Sequence, residues 1–142
     1  MKISGKIINH NASYDGSIEF NDKIQSINRE NKKDLENIII PGFIDLHCHG
    51  GNGFDTMKGI SSIKKMSEFH LNNGTTTLLP TTLTATLEDT FNALIGLNDF
   101  IEANKNKTNI FGIHLEGPFI NPDKLGAQPA FTQLPNINFV NK

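Results

Sequence analysis

The chain has 142 residues, a formal net charge of −2, and hydrophobic and charged fractions of 37% and 20%, the proportions of an ordinary globular protein with one modest core. No basic run indicates nucleic acid, no apolar stretch approaches the ~20 residues of a membrane-spanning helix, and the N-terminus lacks the apolar centre of a signal peptide. A single cysteine excludes an internal disulfide framework, so we expect a cytoplasmic protein without a nucleic-acid or membrane partner.

The first domain is predicted at 1–37 as a small antiparallel β unit. Three short strands, at 3–8, 17–20 and 23–27, alternate with turn residues such as Asp-Gly and Asn-Asp. The apolar content of these strands is too small for the unit to stand alone. No candidate catalytic residue lies in this segment.

The second domain, 38–142, opens with a predicted strand at 38–51. Three isoleucines lead into the sequence Pro-Gly-Phe-Ile-Asp-Leu-His-Cys-His-Gly-Gly, which is typical of a buried strand that ends in glycines. Because side chains alternate along a strand, His47 and His49 are expected on one face and Cys48 on the other. The two imidazoles are a candidate metal-binding pair, and two structural or solvent-facing histidines are the alternative.

Strands and helices alternate through the rest of the chain. The predicted helix, strand, helix and strand lie at 60–72, 74–82, 88–103 and 110–119. Ser61-Ser62 is the candidate N-cap of the first helix and Gly74 its stop, while the threonines that end the second strand are expected to cap the helix that follows. This alternation implies parallel pairing, and the pattern leaves open a doubly wound sheet or the beginning of a (β/α)8 barrel.

Polar side chains collect at the predicted C-terminal ends of these strands, where parallel α/β proteins place their working residues. Glu116, near the end of the third strand, is expected at the same rim as His47 and His49. A bound cation would offset the burial of its carboxylate, and an ion pair with a basic residue is the alternative. His114 shares the inward face with Glu116, and a direct ligand or a hydrogen-bonding role are both open to it.

Specific motifs resemble a known family. The segment at 41–51 resembles the metal-binding opening strand of the amidohydrolase superfamily. Within it, His-Leu-Glu-Gly-Pro-Phe at 114–119, Lys-Leu-Gly-Ala-Gln-Pro at 124–129 and the threonine-rich segment at 74–81 are similar to the N-acetylglucosamine-6-phosphate deacetylases. The resemblance implies an α/β fold, namely the start of a (β/α)8 metal-dependent hydrolase barrel preceded by part of a small β-sandwich, with the barrel incomplete in this chain.

The resemblance also implies roles for individual residues. Glu116 would be the main ligand of a divalent metal, zinc or iron, and His47 and His49 would bind a second ion or lie close to the first. Ala127 and Gln128 match a segment that contacts the sugar substrate, largely through the backbone.

The catalytic base implied by the resemblance is an aspartate on a later strand, which this chain does not contain. Asp123, in a loop directly after the third predicted strand, does not take its place. We therefore expect an N-terminal portion of the enzyme, inactive and prone to aggregation when expressed alone.

The implied activity is the removal of acetate from N-acetylglucosamine 6-phosphate, a small-molecule amino-sugar phosphate, by an enzyme that is a homodimer at full length. Two alternatives remain. Another amidohydrolase, dihydroorotase-like or a deacylase, would share the histidine pair but would need a lysine in place of Glu116 or a different third-strand motif. A non-catalytic binding module built from a truncated barrel would share the fold.

Overall fold

The computed structural model describes residues 1–31, 36–105 and 108–141, and its contacts divide the chain into two compact units, Met1–Gly42 and Phe43–Lys142. Among the described residues, the helices are all too short or too polar to cross a membrane.

The first unit is a four-stranded sheet. Its strands are β1 (Lys2–Ile8), β2 (Ser13–Phe20), β3 (Ile24–Arg29) and β4 (Ile38–Ile39). Their order is β3-β2-β1-β4, with the first three antiparallel, as predicted, and β4 parallel to β1. β2 begins earlier than predicted because its first residues extend the ladder with β1, through pairs such as Ile7 with Tyr14.

The second unit is an α/β arrangement of short strands and longer helices. Its strands are β5 (Phe43–Cys48), β6 (Gly50–Gly51), β7 (Phe54–Asp55) and β8 (Thr75–Pro80), its helices are α1 (Ile60–Asn72), α2 (Leu87–Ala103) and α3 (Ile137–Val140), and its 3₁₀ turns are Thr56–Lys58 and Pro122–Lys124. β5 and β8 pair in parallel, as predicted, and β6 pairs antiparallel with β7. The helices α1 and α2 also lie where their periodicity placed them.

The predicted opening strand at 38–51 is wrong as a single element. β4 pairs within the sheet of the first unit, whereas β5 pairs with β8. Pro41 interrupts the run because proline has no backbone N–H to give to a ladder. The expected burial is also wrong for one face of β5, since Ile44 and Leu46 are 67% and 58% exposed.

The predicted third strand at 110–119 is reduced to two isolated bridges. Leu78 pairs with Ile110 and Thr81 with His114, both in parallel, so the expected direction holds although a regular strand does not form. Among the described residues this segment pairs on the β8 side alone, and the Phe111 side chain is 85% exposed. A strand-like sequence without a second neighbour has fewer hydrogen bonds to keep it regular.

Helix α1 has the predicted bounds, but its N-cap is a different residue. Gly59, rather than Ser61 or Ser62, is its N-cap, because the Ser62 hydroxyl is already engaged: it accepts from the Asp55 backbone N–H and donates to the Asp55 carbonyl, both at 2.8 Å. Gly74 follows the helix with φ +90°, a left-handed conformation that favours glycine.

The core of the second unit lies between the two long helices and β8. Its buried side chains come from β5, α1, β8, α2 and the segment after it: Cys48, Ile63, Met66, Leu78, Leu97, Phe100 and Ile110. The sheet is therefore packed on its helical side, which leaves the C-terminal ends of β5 and β8 free to carry polar side chains.

Candidate metal centre

Three side chains meet at the C-terminal ends of the strands in the second unit. The two imidazole Nε2 atoms of His47 and His49 are 3.1 Å apart, and the Glu116 Oε2 atom lies 2.8 Å from the first and 3.1 Å from the second. His47 is exposed, whereas His49 and Glu116 are half-buried. The structure thus brings together the three residues that the sequence predicted at one rim.

The geometry of this group fits a divalent metal. Three ligand atoms each bonded at about 2.0–2.2 Å to one ion lie roughly 3 Å from one another, as these three do. The Glu116 Oε2 atom is buried and accepts no hydrogen bond of acceptable angle, although it lies within ion-pair distance of both imidazoles. A buried carboxylate oxygen that faces two nitrogen atoms without a hydrogen bond is suited to a cation, and two imidazoles with one carboxylate are donors for zinc or non-haem iron.

The ring of His49 is oriented by the neighbouring strand. Its Nδ1 atom lies 3.2 Å from the carbonyl oxygen of Thr81. When Nδ1–H donates to that carbonyl, the Nε2 atom keeps its lone pair free and directed at Glu116, which is the tautomer that a metal-binding histidine needs.

Two threonines after β8 tie the ligand-bearing segments together. The fully buried Thr82 hydroxyl accepts from the Glu116 backbone N–H at 3.0 Å and donates to the Glu116 carbonyl at 3.1 Å. The Thr81 hydroxyl accepts from the Cys48 backbone N–H at 2.9 Å, between the two histidines. The expectation that these threonines cap the next helix is wrong for both, since Thr86 is the N-cap of α2.

Sequence reasoning missed this role for Thr81 and Thr82. The signal was present as two hydroxyl residues at the end of the strand that lies between the two ligand-bearing segments. A central strand that offers no ligand of its own is well placed to hold both neighbours.

Replacing Thr82 by valine tests this arrangement at nearly constant volume. We expect T82V to lower metal affinity ~10–100-fold, the usual effect of losing a partner that orients a ligand, and to lower the free energy of unfolding by about 1–3 kcal/mol. Metal titration and denaturant unfolding measure the two effects. T82S keeps the hydroxyl and is expected to bind metal nearly as the wild type does, while unchanged metal affinity in T82V would refute the role of this hydroxyl.

His114 contacts His47 instead of joining the three-residue group. Its Nδ1 atom is 2.9 Å from the carbonyl oxygen of Leu46, and the two imidazole rings meet edge to face with centroids 4.6 Å apart. The side chain therefore fixes the backbone next to His47 and limits the rotation of that ring.

One family of known proteins matches the chain over most of its length. Residues 38–138 match the sequence model of the Amidohydrolase family. The chain belongs to the amidohydrolase family.

The relatives of this amidohydrolase chain are much longer than the chain itself. The N-acetylglucosamine-6-phosphate deacetylase of Bacillus subtilis is 35% identical over 128 residues, which are 80% of this chain and 32% of the relative. That of Caenorhabditis elegans is 36% identical over 107 residues, 68% of this chain and 25% of the relative. The chain thus spans about a third or less of these proteins.

Solved structures of the same enzyme are similar in fold. N-acetylglucosamine-6-phosphate deacetylase from Thermotoga maritima superposes with a TM-score of 0.89 at 30% identity, over 99% of this chain and 39% of that one. The enzyme from Mycobacterium smegmatis gives a TM-score of 0.83 at 25% identity, over 99% of this chain and 42% of that one.

The two predicted substrate-contacting residues lie on a loop of the amidohydrolase chain outside the three-residue group. Gln128 is half-buried, and its side-chain Oε1 atom accepts from the Thr84 backbone N–H at 2.8 Å. Its side chain therefore joins this loop to the end of the β8 segment. Ala127 is exposed, and Asp123 lies in an exposed turn where its backbone N–H is bonded to Asn121.

Proposed function

We propose that this chain is the metal-binding N-terminal portion of an enzyme that removes acetate from N-acetylglucosamine 6-phosphate and yields glucosamine 6-phosphate. The observation that supports the proposal best is the buried Glu116 Oε2 atom, which makes no hydrogen bond and lies within ion-pair distance of the Nε2 atoms of His47 and His49. This observation supports a deacetylase in particular because the three residues lie on segments that are similar to those of N-acetylglucosamine-6-phosphate deacetylases.

Each residue of the group has a distinct task in this proposal. Glu116 is the main metal ligand, and His47 and His49 complete the site or hold a second ion, zinc or iron in either case. A divalent ion bound there supplies Lewis-acid activation of water and of the acetamide carbonyl. Thr82 and the carbonyl of Thr81 keep the ligands oriented before substrate arrives.

Substrate contacts in the proposal come from the loop after the third segment. Ala127 and Gln128 offer backbone groups to the sugar, since the Gln128 side chain is engaged with Thr84. The general base, an aspartate that takes the proton from water and passes it to the departing amine, belongs to a part of the enzyme outside this sequence.

The proposed architecture is the start of a (β/α)8 barrel preceded by part of a small β-sandwich, with the boundary that was predicted between 37 and 38 placed after β4, which pairs with β1. It is supported by the parallel order of β5, β8 and the bridged segment at 110–114, and by the similarity to the Thermotoga maritima enzyme over 99% of the chain. We further propose that the complete enzyme is a cytoplasmic homodimer, and that the 142-residue chain alone is inactive.

A second candidate substrate has support of its own. The N-acetylgalactosamine-6-phosphate deacetylase of Escherichia coli O157:H7 is 32% identical to this chain over 99 residues. The two sugars differ in the configuration of one hydroxyl, away from the acetamide that would be hydrolysed.

A direct assay tests the proposed function. The intact protein, meaning the complete enzyme of which this chain is proposed to be a part, is loaded with Zn²⁺ or Fe²⁺. It is then incubated with one of four compounds: N-acetylglucosamine 6-phosphate, N-acetylgalactosamine 6-phosphate, unphosphorylated N-acetylglucosamine or dihydroorotate. Released acetate, or ring-opened product for dihydroorotate, is measured. We expect the first substrate to give the highest kcat/KM and the 142-residue chain to give none. Preferred hydrolysis of dihydroorotate would overturn the proposal, and activity of the short chain would overturn its expected inactivity.

A further inference from the structure

A second group of metal-ligating side chains lies around β5, apart from the histidine pair. The side-chain ligand atoms of Asp45, Cys48 and His70 all lie within 4.8 Å of one another. The Cys48 Sγ atom is 3.2 Å from the His70 Nε2 atom, and the carbonyl oxygen of Gly50 is 3.2 Å from each of them. Sulfur, nitrogen and carbonyl oxygen thus form a triangle with equal edges, with a carboxylate close by.

Two features of the fold produce this convergence. Residues three apart on a regular strand point to opposite faces, but the pairing of β5 with β8 shifts register between Asp45 and Cys48. Such an irregularity re-aims side chains, and here it places both ligand atoms in one group. The third side chain, His70, comes from α1, and its ring approaches closely because residue 51 is glycine: a Cβ atom on Gly51 would lie 2.6 Å from the His70 Nε2 atom.

The chemistry of the group favours a cation. Cys48 is only 7% exposed, and its Sγ atom faces the His70 imidazole and the Gly50 carbonyl. A divalent cation bound here would take the Cys48 sulfur as a thiolate ligand and offset the charge of the nearby Asp45 carboxylate. One thiolate, one imidazole and one carboxylate suit zinc, whereas magnesium and calcium prefer oxygen ligands alone.

We propose that Asp45, Cys48 and His70 bind a zinc-class cation, with the Gly50 carbonyl as a fourth donor. The site is separate from the His47–His49–Glu116 group and does not depend on the proposed deacetylase activity. Its role is structural: it joins β5 to α1 and fixes the backbone on either side of the two histidines. The competing description is a thiol and an imidazole that both donate hydrogen bonds to the Gly50 carbonyl.

Cobalt substitution distinguishes these two descriptions. Cys48 is the single cysteine of the 142-residue sequence, so a thiolate-to-cobalt charge-transfer band that disappears in C48S reports this site. We expect the intact protein titrated with Co²⁺ to show that band, C48S to lack it, and H70N to weaken Co²⁺ binding at this site at least ~10-fold. E116Q, which alters the other group, is the matched control and is expected to keep the band.

A measurement on the wild type covers the case in which C48S or H70N does not fold. X-ray absorption of the zinc-loaded intact protein is expected to show one zinc–sulfur path at about 2.3 Å. Absence of both the charge-transfer band and the sulfur path would overturn the proposal in favour of the hydrogen-bonded pair. A band that persists unchanged in C48S would overturn it as well, because the thiolate would then belong to another residue.

Discussion

We expect a Glu116→Gln variant of the intact protein to lose at least ~100-fold in metal affinity, beyond what is usual for a residue that only orients a ligand. The amide keeps the size of the side chain but removes the negative charge, and the Nε2 atoms of His47 and His49 then face a neutral group. The proposed deacetylase activity is expected to fall by at least the same factor. Elemental analysis and a metal titration measure the first effect, and acetate release measures the second.

Glu68→Gln is the matched control for this substitution. Glu68 lies on the exposed face of α1, 3.9 Å from Lys64, and exposed pairs of this kind contribute little. We expect E68Q to retain wild-type metal content and activity. A Glu116→Gln protein with full metal occupancy would show that Glu116 is not a ligand.

The largest expected effect on stability comes from Leu78→Ala. Leu78 is fully buried on β8, packed within the core between the sheet and the two long helices. Removing its side chain deletes apolar contacts and leaves a cavity, so we expect the free energy of unfolding to fall by about 2–5 kcal/mol. Because domains are stable by only ~5–15 kcal/mol, the denaturant midpoint of the intact protein is expected to drop markedly.

Leu134→Ala supplies the comparison at an exposed site. Leu134 is 88% exposed, and substitutions at such positions usually change stability by less than ~0.5 kcal/mol. A loss smaller than about 1 kcal/mol in L78A would mean that the core around β8 does not carry the stability of this unit.

Much of the fold followed from local pattern. Helices α1 and α2 have apolar residues at helical spacing, and Ile63, Met66 and Leu97 among them are buried. The parallel pairing of β5 with β8 followed from the helix between them. These features could be predicted because they follow from the spacing of apolar residues and from the order of the elements, both of which can be read from one sequence.

Other elements depended on partners that the sequence does not name. Ile38 and Ile39 continue the apolar run toward the histidines, yet their backbone pairs with Lys6 and Ile7 of β1. Apolar content predicts that a segment is extended, but the choice of neighbouring strand is made by three-dimensional contacts. The same reason explains why the segment containing Phe111 is strand-like in sequence and irregular in structure.

The site was predictable as a set of ligands and not as a hydrogen-bonded assembly. Imidazoles and a carboxylate at strand ends follow from motif and topology, so His47, His49 and Glu116 were identified together. The two hydrogen bonds between the Thr82 hydroxyl and the Glu116 backbone could be predicted only from the register between the two segments. The alternation of side chains along a strand does not give that register.

The hydroxyls of Thr81 and Thr82 bind backbone groups of the neighbouring segments, the N–H of Cys48 and the N–H and carbonyl of Glu116. Every residue other than proline offers the same backbone groups, so these hydrogen bonds do not depend on which side chain stands at those positions. Point substitutions during evolution can therefore exchange one metal ligand for another while the hydrogen bonds that position the ligand-bearing backbone are kept. The metal preference of the site can thus change during evolution without a change in the backbone fold.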